Sequence, residues 1–166
     1  MQNKSYIYIM KLRNLRHKVF FILLLIPLIS SSQTNIDSLK NLLKKSSDID
    51  RINILIDLSK AYKRISPEKT IEYALEAYRL AKIQDNELLI ASSLGNAGDG
   101  EILLGHLDTA KSYYIKSYNL YNKLNNLEGL SEAYLDLGNI YFFNSQYDSA
   151  AIYYEKSIGF TCGLFL

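Results

Sequence analysis

The chain has 166 residues, 48% of them apolar and 22% charged, with 19 basic and 17 acidic side chains, two histidines and one cysteine. A single cysteine excludes an internal disulfide framework, and so few histidines and cysteines leave little for a zinc site, which takes three or four ligands. The formal net charge of +2 is unevenly distributed, and its placement decides its meaning.

Five of the bases and none of the acids precede Gln33. Lys11, Arg13, Arg16 and Lys18 lead into an uncharged apolar run, Val19–Ile29 (VFFILLLIPLI), followed by Ser30, Ser31 and Ser32. A basic start, a short apolar centre and small residues before a cut site are the pattern of a secretory signal. Residues 1–32 are therefore expected to be a signal peptide, with Met10 a candidate start and cleavage after Ser32 placing Ser30 and Ser32 at the small-residue positions. The run of 11 residues is short for a spanning helix, which needs about 20. An uncleaved anchor and a buried helix are the other readings. No cysteine lies near the cut, which argues against a lipid anchor there. Removal of this segment leaves 14 bases against 17 acids, a net charge of −3. The basic balance thus belongs to export and gives no reason to expect a nucleic-acid partner. The expected location is outside the inner membrane, periplasmic or secreted.

Residues 33–46 are expected to form a lead-in helix, because Leu39, Leu42 and Leu43 recur at helical spacing within Ile36–Lys45. Beyond it the sequence repeats with a step of 40: Gly138, Asp148, Ala150, Tyr153, Tyr154, Lys156 and Ser157 return as Gly98, Asp108, Ala110, Tyr113, Tyr114, Lys116 and Ser117. A further step finds Tyr73 under Tyr113, with Thr70 and Ala77 at the small positions. A fixed period in this range signals a stacked array. Three units are assigned, residues 47–85, 86–125 and 126–166. The fold class is all-α, an α-solenoid of antiparallel helix pairs. Alternating patterns with hairpin turns are absent, which disfavours a β reading. Asp85-Asn86 and Asn125-Asn126 mark the turns between units, with Ser47 at the matching place before the first. Ser66-Pro67 reads as a cap followed by proline at the first helical position. Glu68, Asp108 and Asp148 put an acid in the first turn of each second helix, where the helix dipole favours one.

The third unit resembles the tetratricopeptide repeat family. Tyr134 sits at that family's large aromatic position, Leu137-Gly138 is its Leu-Gly pair, Tyr141 follows, and Ala150, Tyr154 and Ser157 fit the small, aromatic and small positions of the second helix. Leu94, Gly98, Ala110, Tyr114 and Ser117 fit in the second unit, which departs from the pattern at Ala97 and Glu101. Leu55, Leu58, Ser59 and Tyr62 fit in the first if its turn at Ile65–Ser66 is one residue shorter; Thr70 and Ala74 are departures. The expected close contact is Gly138 against Ala150, with Tyr134, Tyr141 and Tyr154 around it. The usual unit has about 34 residues, so the longer period here extends the helices.

The resemblance implies a surface for binding another protein or peptide, with the first helices lining a concave face. Carried over one position at a time, that face comprises Asp57, Lys60 and Arg64, then Asn96, Asp99 and Leu103, then Asp136, Asn139, Phe142 and Phe143. Some relatives clamp a terminal carboxylate with Lys, Arg and Asn. Asn96 and Asn139 match in type, whereas Leu135 and Asp136 replace the basic partners. Asp57, Asp99 and Asp136 instead favour a partner with basic or amide groups, assisted by the Phe142–Phe143 edge.

Residues for catalysis are few. His106 lies in the turn of the second unit and Cys162 in the third, so a Cys–His pair is not expected. Gly95–Gly100 (GNAGDG) has the look of a phosphate loop, but the register places it inside a helix. Three glycines should soften that helix by about 1 kcal/mol each relative to alanine; only Gly98 has an expected packing reason. Aromatics at helical spacing are read as core, with Tyr118 and Tyr121 partly exposed. No cofactor and no metal are expected. An enzyme and an RNA-reading helical repeat both have the sequence against them, the second through export and the acidic mature chain.

The last eight residues, Gly159–Leu166, carry no charge and two glycines, where repeat arrays finish with a polar capping helix. The third unit is accordingly expected to be truncated, with marginal stability and self-association through the uncapped last helix. A signal segment, a lead-in helix and 40-residue repeats resemble the exported N-terminal region of certain bacterial membrane sensor and regulator proteins. In those, a spanning helix and an output domain follow, and membrane association here would need either such a helix in an intact relative or an uncleaved signal. The sequence thus points to an exported, non-catalytic interaction scaffold, as the sensory module of a signalling protein. An autonomous assembly factor for periplasmic or surface complexes is the alternative.

Overall fold

The structure, a computed structural model, describes residues 35–161. The chain divides into two compact units, Met1–Ser38 and Leu39–Leu166. The expected signal segment, residues 1–32, and residues 162–166, including Cys162, lie outside the described residues. A short helix, α1, covers residues 35–43. Six helices follow: α2 (Asp48–Tyr62), α3 (Pro67–Ile83), α4 (Glu87–Leu103), α5 (Leu107–Lys123), α6 (Leu127–Phe143) and α7 (Tyr147–Thr161). No strand occurs among the described residues.

The long period has a simple origin. Helices α3 to α6 have 17 residues each, and the turns at 84–86, 104–106, 124–126 and 144–146 are each short. The excess over the usual unit is therefore shared, almost one extra helical turn on each helix of the pair. In every such turn one residue takes the left-handed conformation: Asp85 (φ 51°), Gly105 (81°), Asn125 (50°) and Ser145 (59°). The next amide then bonds back across the helix end, Asn86 to the Ala81 carbonyl (3.0 Å), His106 to Glu101 (2.9 Å), Asn126 to Tyr121 (3.0 Å) and Gln146 to Tyr141 (2.9 Å). The same residue opens the following helix. The side chains of Asn86 and Asn126 accept from the amides of Leu89 (3.1 Å) and Gly129 (2.6 Å). Ser66 does so for Lys69 (3.4 Å), ahead of Pro67.

Turns this short force sequential helices to lie antiparallel. Each helix from α2 to α7 packs on the next, and α2 also touches α4, and α4 touches α6, whereas α3 and α5, like α5 and α7, do not meet. The first helix of each pair thus lies on the inner side of the curve. Leu43 of α1 packs on the first core, around Ile52, Leu55, Ile56, Ala77 and Ala81.

Leu55, Leu58, Tyr62, Leu94, Gly98, Ala110, Tyr114, Leu137, Gly138 and Ala150 are buried, and Tyr134, Tyr141 and Tyr154 are half-buried. The glycines differ from expectation. A Cβ at Gly138 would lie 2.6 Å from the ring of Tyr154, and one at Gly98 2.5 Å from that of Tyr114. Gly138 therefore makes room for the tyrosine ring of its own repeat rather than for Ala150, because a flat ring four residues further along the second helix needs the space. Gly100 also has a packing reason: a Cβ there would lie 2.5 Å from Ile71 Cγ1 and 2.9 Å from the Pro67 carbonyl oxygen. Gly95 alone of the three has ordinary room, its nearest neighbour being Ser117 Oγ at 3.6 Å.

The first unit carries the register slip expected from its sequence. Tyr62 stacks on Tyr73 at 5.5 Å as Tyr141 stacks on Tyr153 at 4.8 Å. Tyr73 and Tyr153 are two full periods apart, Tyr62 and Tyr141 one residue less.

Candidate functional site

Along the inner side, α2, α4 and α6 bound a groove made of two adjoining hollows. The first, of about 240 Å³, is lined by Lys60, Lys63, Asn96, Asp99, Leu135 and Asp136, with Tyr121 and Glu132 at its side. The second, of about 420 Å³, has Asn53, Ile56 and Asp57 on one wall and Asn126, Glu128 and Glu132 on the other. Lys60, Ser92, Tyr121 and Glu132 line both, so the groove is continuous.

Of the residues expected on this face, the structure brings Asp57, Lys60, Asn96, Asp99 and Asp136 together in the groove. Arg64, Leu103, Phe142 and Phe143 lie instead at the ends of α2, α4 and α6, where the longer helices carry them to the turn edge. There Phe142 and Phe143, 50% and 56% exposed, meet edge-on at 6.0 Å, with Tyr147 beside Phe142 at 5.7 Å. Asn139 serves the repeat itself, accepting a hydrogen bond from the Tyr154 hydroxyl (2.9 Å). Asp99 makes the equivalent contact one period earlier, accepting from Tyr114 (3.0 Å).

Several groove residues were not legible in the sequence. Lys63 reaches across from the end of α2 to pair with Asp99 (Nζ–Oδ2 2.6 Å). It stands at the repeat position of Phe142, and carrying that position back through the one-residue slip would have found it. Tyr121, expected to be partly exposed, is buried. It stands where the preceding repeat has Ala81, and its ring fills the space left by the absent side chain of Gly129. The equivalent pair one period earlier is Ala81 with Leu89, so large and small have changed places across the same interface.

The charges on the floor are not equivalent. The Asp136 carboxyl is held well above the usual carboxylate range, first by burial and then by the negative charge of Asp99, against the opposing effect of Lys63. Burial, and then the same two carboxylates, raise the phenol of Tyr114, so that it remains a hydrogen-bond donor to Asp99. Burial, with Glu132 nearby, pushes Tyr121 up to about 12, against its hydrogen bond with Ser92. Both tyrosines are neutral at physiological pH. The second hollow presents Asp57, Glu128 and Glu132 against Lys60, an acidic wall suited to basic or amide groups.

His106 pairs with Glu101 (2.8 Å) at an exposed turn, and Gly95–Gly100 lies within α4. Among the described residues no group of three His, Cys, Asp or Glu side chains is placed to hold a metal ion. No helix among them is long and apolar enough to cross a membrane.

Residues 89–160 match the family model described as tetratricopeptide repeat. No curated protein matches the chain. Among solved structures, the crystal structure of MamA is similar at 20% sequence identity, covering 80% of this chain and 90% of that one with a TM-score of 0.35. The matched stretch holds the helix pairs in which Gly98 receives Tyr114 and Gly138 receives Tyr154, and over these residues the chain carries tetratricopeptide repeats.

Proposed function

We propose that this chain is an exported interaction scaffold that holds an extended segment of another protein in the groove between α2, α4 and α6. Tetratricopeptide repeats form protein–protein interaction surfaces, which is the coarse function of the fold. The observation that carries the finer reading is the continuous groove with an acidic second hollow, formed by Asp57, Glu128 and Glu132. A segment rich in lysine, arginine or amide side chains complements it. Export rests on the basic, apolar and small-residue order of residues 1–32. In a membrane signalling protein such a groove would be the sensing surface.

The test is selection of displayed ten-residue peptides against the full chain, followed by affinity measurements with Asp57→Lys and Glu132→Lys, both exposed. Selected peptides should be enriched in basic and amide residues, and the double variant should bind them about tenfold or more weakly. Binding that ignores both reversals would sink the groove reading. Export is checked separately by N-terminal sequencing of the mature protein, which should begin at Gln33.

A further inference from the structure

The first hollow contains an imbalance that the fold does not resolve. Three carboxylates, Asp99, Glu132 and Asp136, line it with two lysines, Lys60 and Lys63, of which Lys63 is paired to Asp99. Asp99 is fully engaged, by Lys63 at 2.6 Å and by the Tyr114 hydroxyl at 3.0 Å. Asp136 borders the same hollow, half-buried, and no hydrogen bond or ion pair within the described structure reaches its carboxyl. Its nearby glycine matters too. A Cβ at Gly95 would lie 3.9 Å from Asp136 Oδ2, so the missing side chain leaves the approach to that oxygen open. Gly95 is the one glycine of α4 that packing does not require. Lys63 is anchored only at its tip, and its side chain is 45% exposed.

These observations fit a cation site whose resident occupant is a side chain of the protein itself. We infer that the first hollow takes one lysine or arginine side chain of the bound segment between Asp136 and Asp99, with Lys63 as the internal cation that it displaces or joins. This rests on the groove reading above and narrows it to one anchoring position. A half-buried carboxyl beside a second carboxylate is costly to charge, and the entering cation offsets that cost on binding rather than on folding. Lys63 holds Asp99 in place until then. Specificity follows, because an apolar side chain of equal length leaves Asp136 unpaired.

The experiment uses the strongest peptide selected against the full chain and versions in which each basic residue in turn becomes norleucine. Titration calorimetry is run with the wild type, Asp136→Asn and Lys63→Gln. One basic position should stand out, its norleucine version binding at least about tenfold more weakly to the wild type. That difference should vanish with Asp136→Asn, while the norleucine peptide binds both proteins alike. Lys63→Gln should tighten the parent peptide, because it removes the competing cation; a purely structural role for Lys63 would weaken it. Peptides that bind with no position sensitive to Asp136→Asn overturn the cation site alone. Failure to select any peptide that perturbs α2, α4 or α6 overturns the groove reading and this inference with it.

Discussion

At the scale of single residues, glycine and tyrosine set the helix spacing. Because a Cβ at Gly98 or Gly138 would fall within the ring of its partner tyrosine, alanine at either position should destabilise the chain by about 2 kcal/mol, as overpacking does. Gly95→Ala should stabilise it by up to about 1 kcal/mol, since only helix propensity changes there. Urea denaturation distinguishes the three; equal effects would show that propensity rather than packing decides. Asp136 allows a sharper test. Its folded carboxyl holds its proton more tightly than the unfolded one, so stability contributed by the protonated form is full below the ordinary aspartate range and is lost as pH rises from there toward the raised value. Asp136→Asn should therefore raise the melting temperature at neutral pH, by a free energy on the order of 1 kcal/mol, with the gain shrinking as pH falls from the raised value to the ordinary aspartate range and no further change below it. A constant gain across pH would contradict the assignment.

At the scale of elements, the turns and the interfaces were legible to different degrees. Turn chemistry is local: Asp85-Asn86 and Asn125-Asn126 announce a left-handed residue and a cap, and the structure places both. The 40-residue step fixed the helix pairs for the same reason. The groove's contents were less visible, because they depend on which side chain reaches across an interface. Lys63 stands one slipped double period before Phe142, as Arg64 does before Phe143, but its reach to Asp99 on α4 is not written in the repeat. Tyr121 was misjudged because its burial depends on Gly129, a residue on the next helix. The exchange of Ala81 and Leu89 for Tyr121 and Gly129 predicts a rescue. Gly129→Leu alone should cost about 2 kcal/mol by overpacking, and Tyr121→Ala alone about 3 kcal/mol through the cavity it leaves. Together they should recover at least about 1 kcal/mol of the summed loss. Strict additivity in denaturation would refute the pairing.

At the scale of the whole molecule, the array presents two contrasting faces. The inner groove is polar and acidic. The outward face of α7 carries Ile152 and Ile158, 53% and 59% exposed. Ile158 occupies the repeat position of Tyr118, which meets Tyr134 of the following repeat at 5.3 Å.

The most direct test of the account is hydrogen exchange of the full chain with and without a selected peptide. Added protection is expected in α2, α4 and α6, centred on Lys60, Asp99 and Asp136, with a lesser effect around Tyr121 at the end of α5 and none in α3 or α7. Protection concentrated on the second helices, or at the Phe142–Phe143 edge alone, would contradict it.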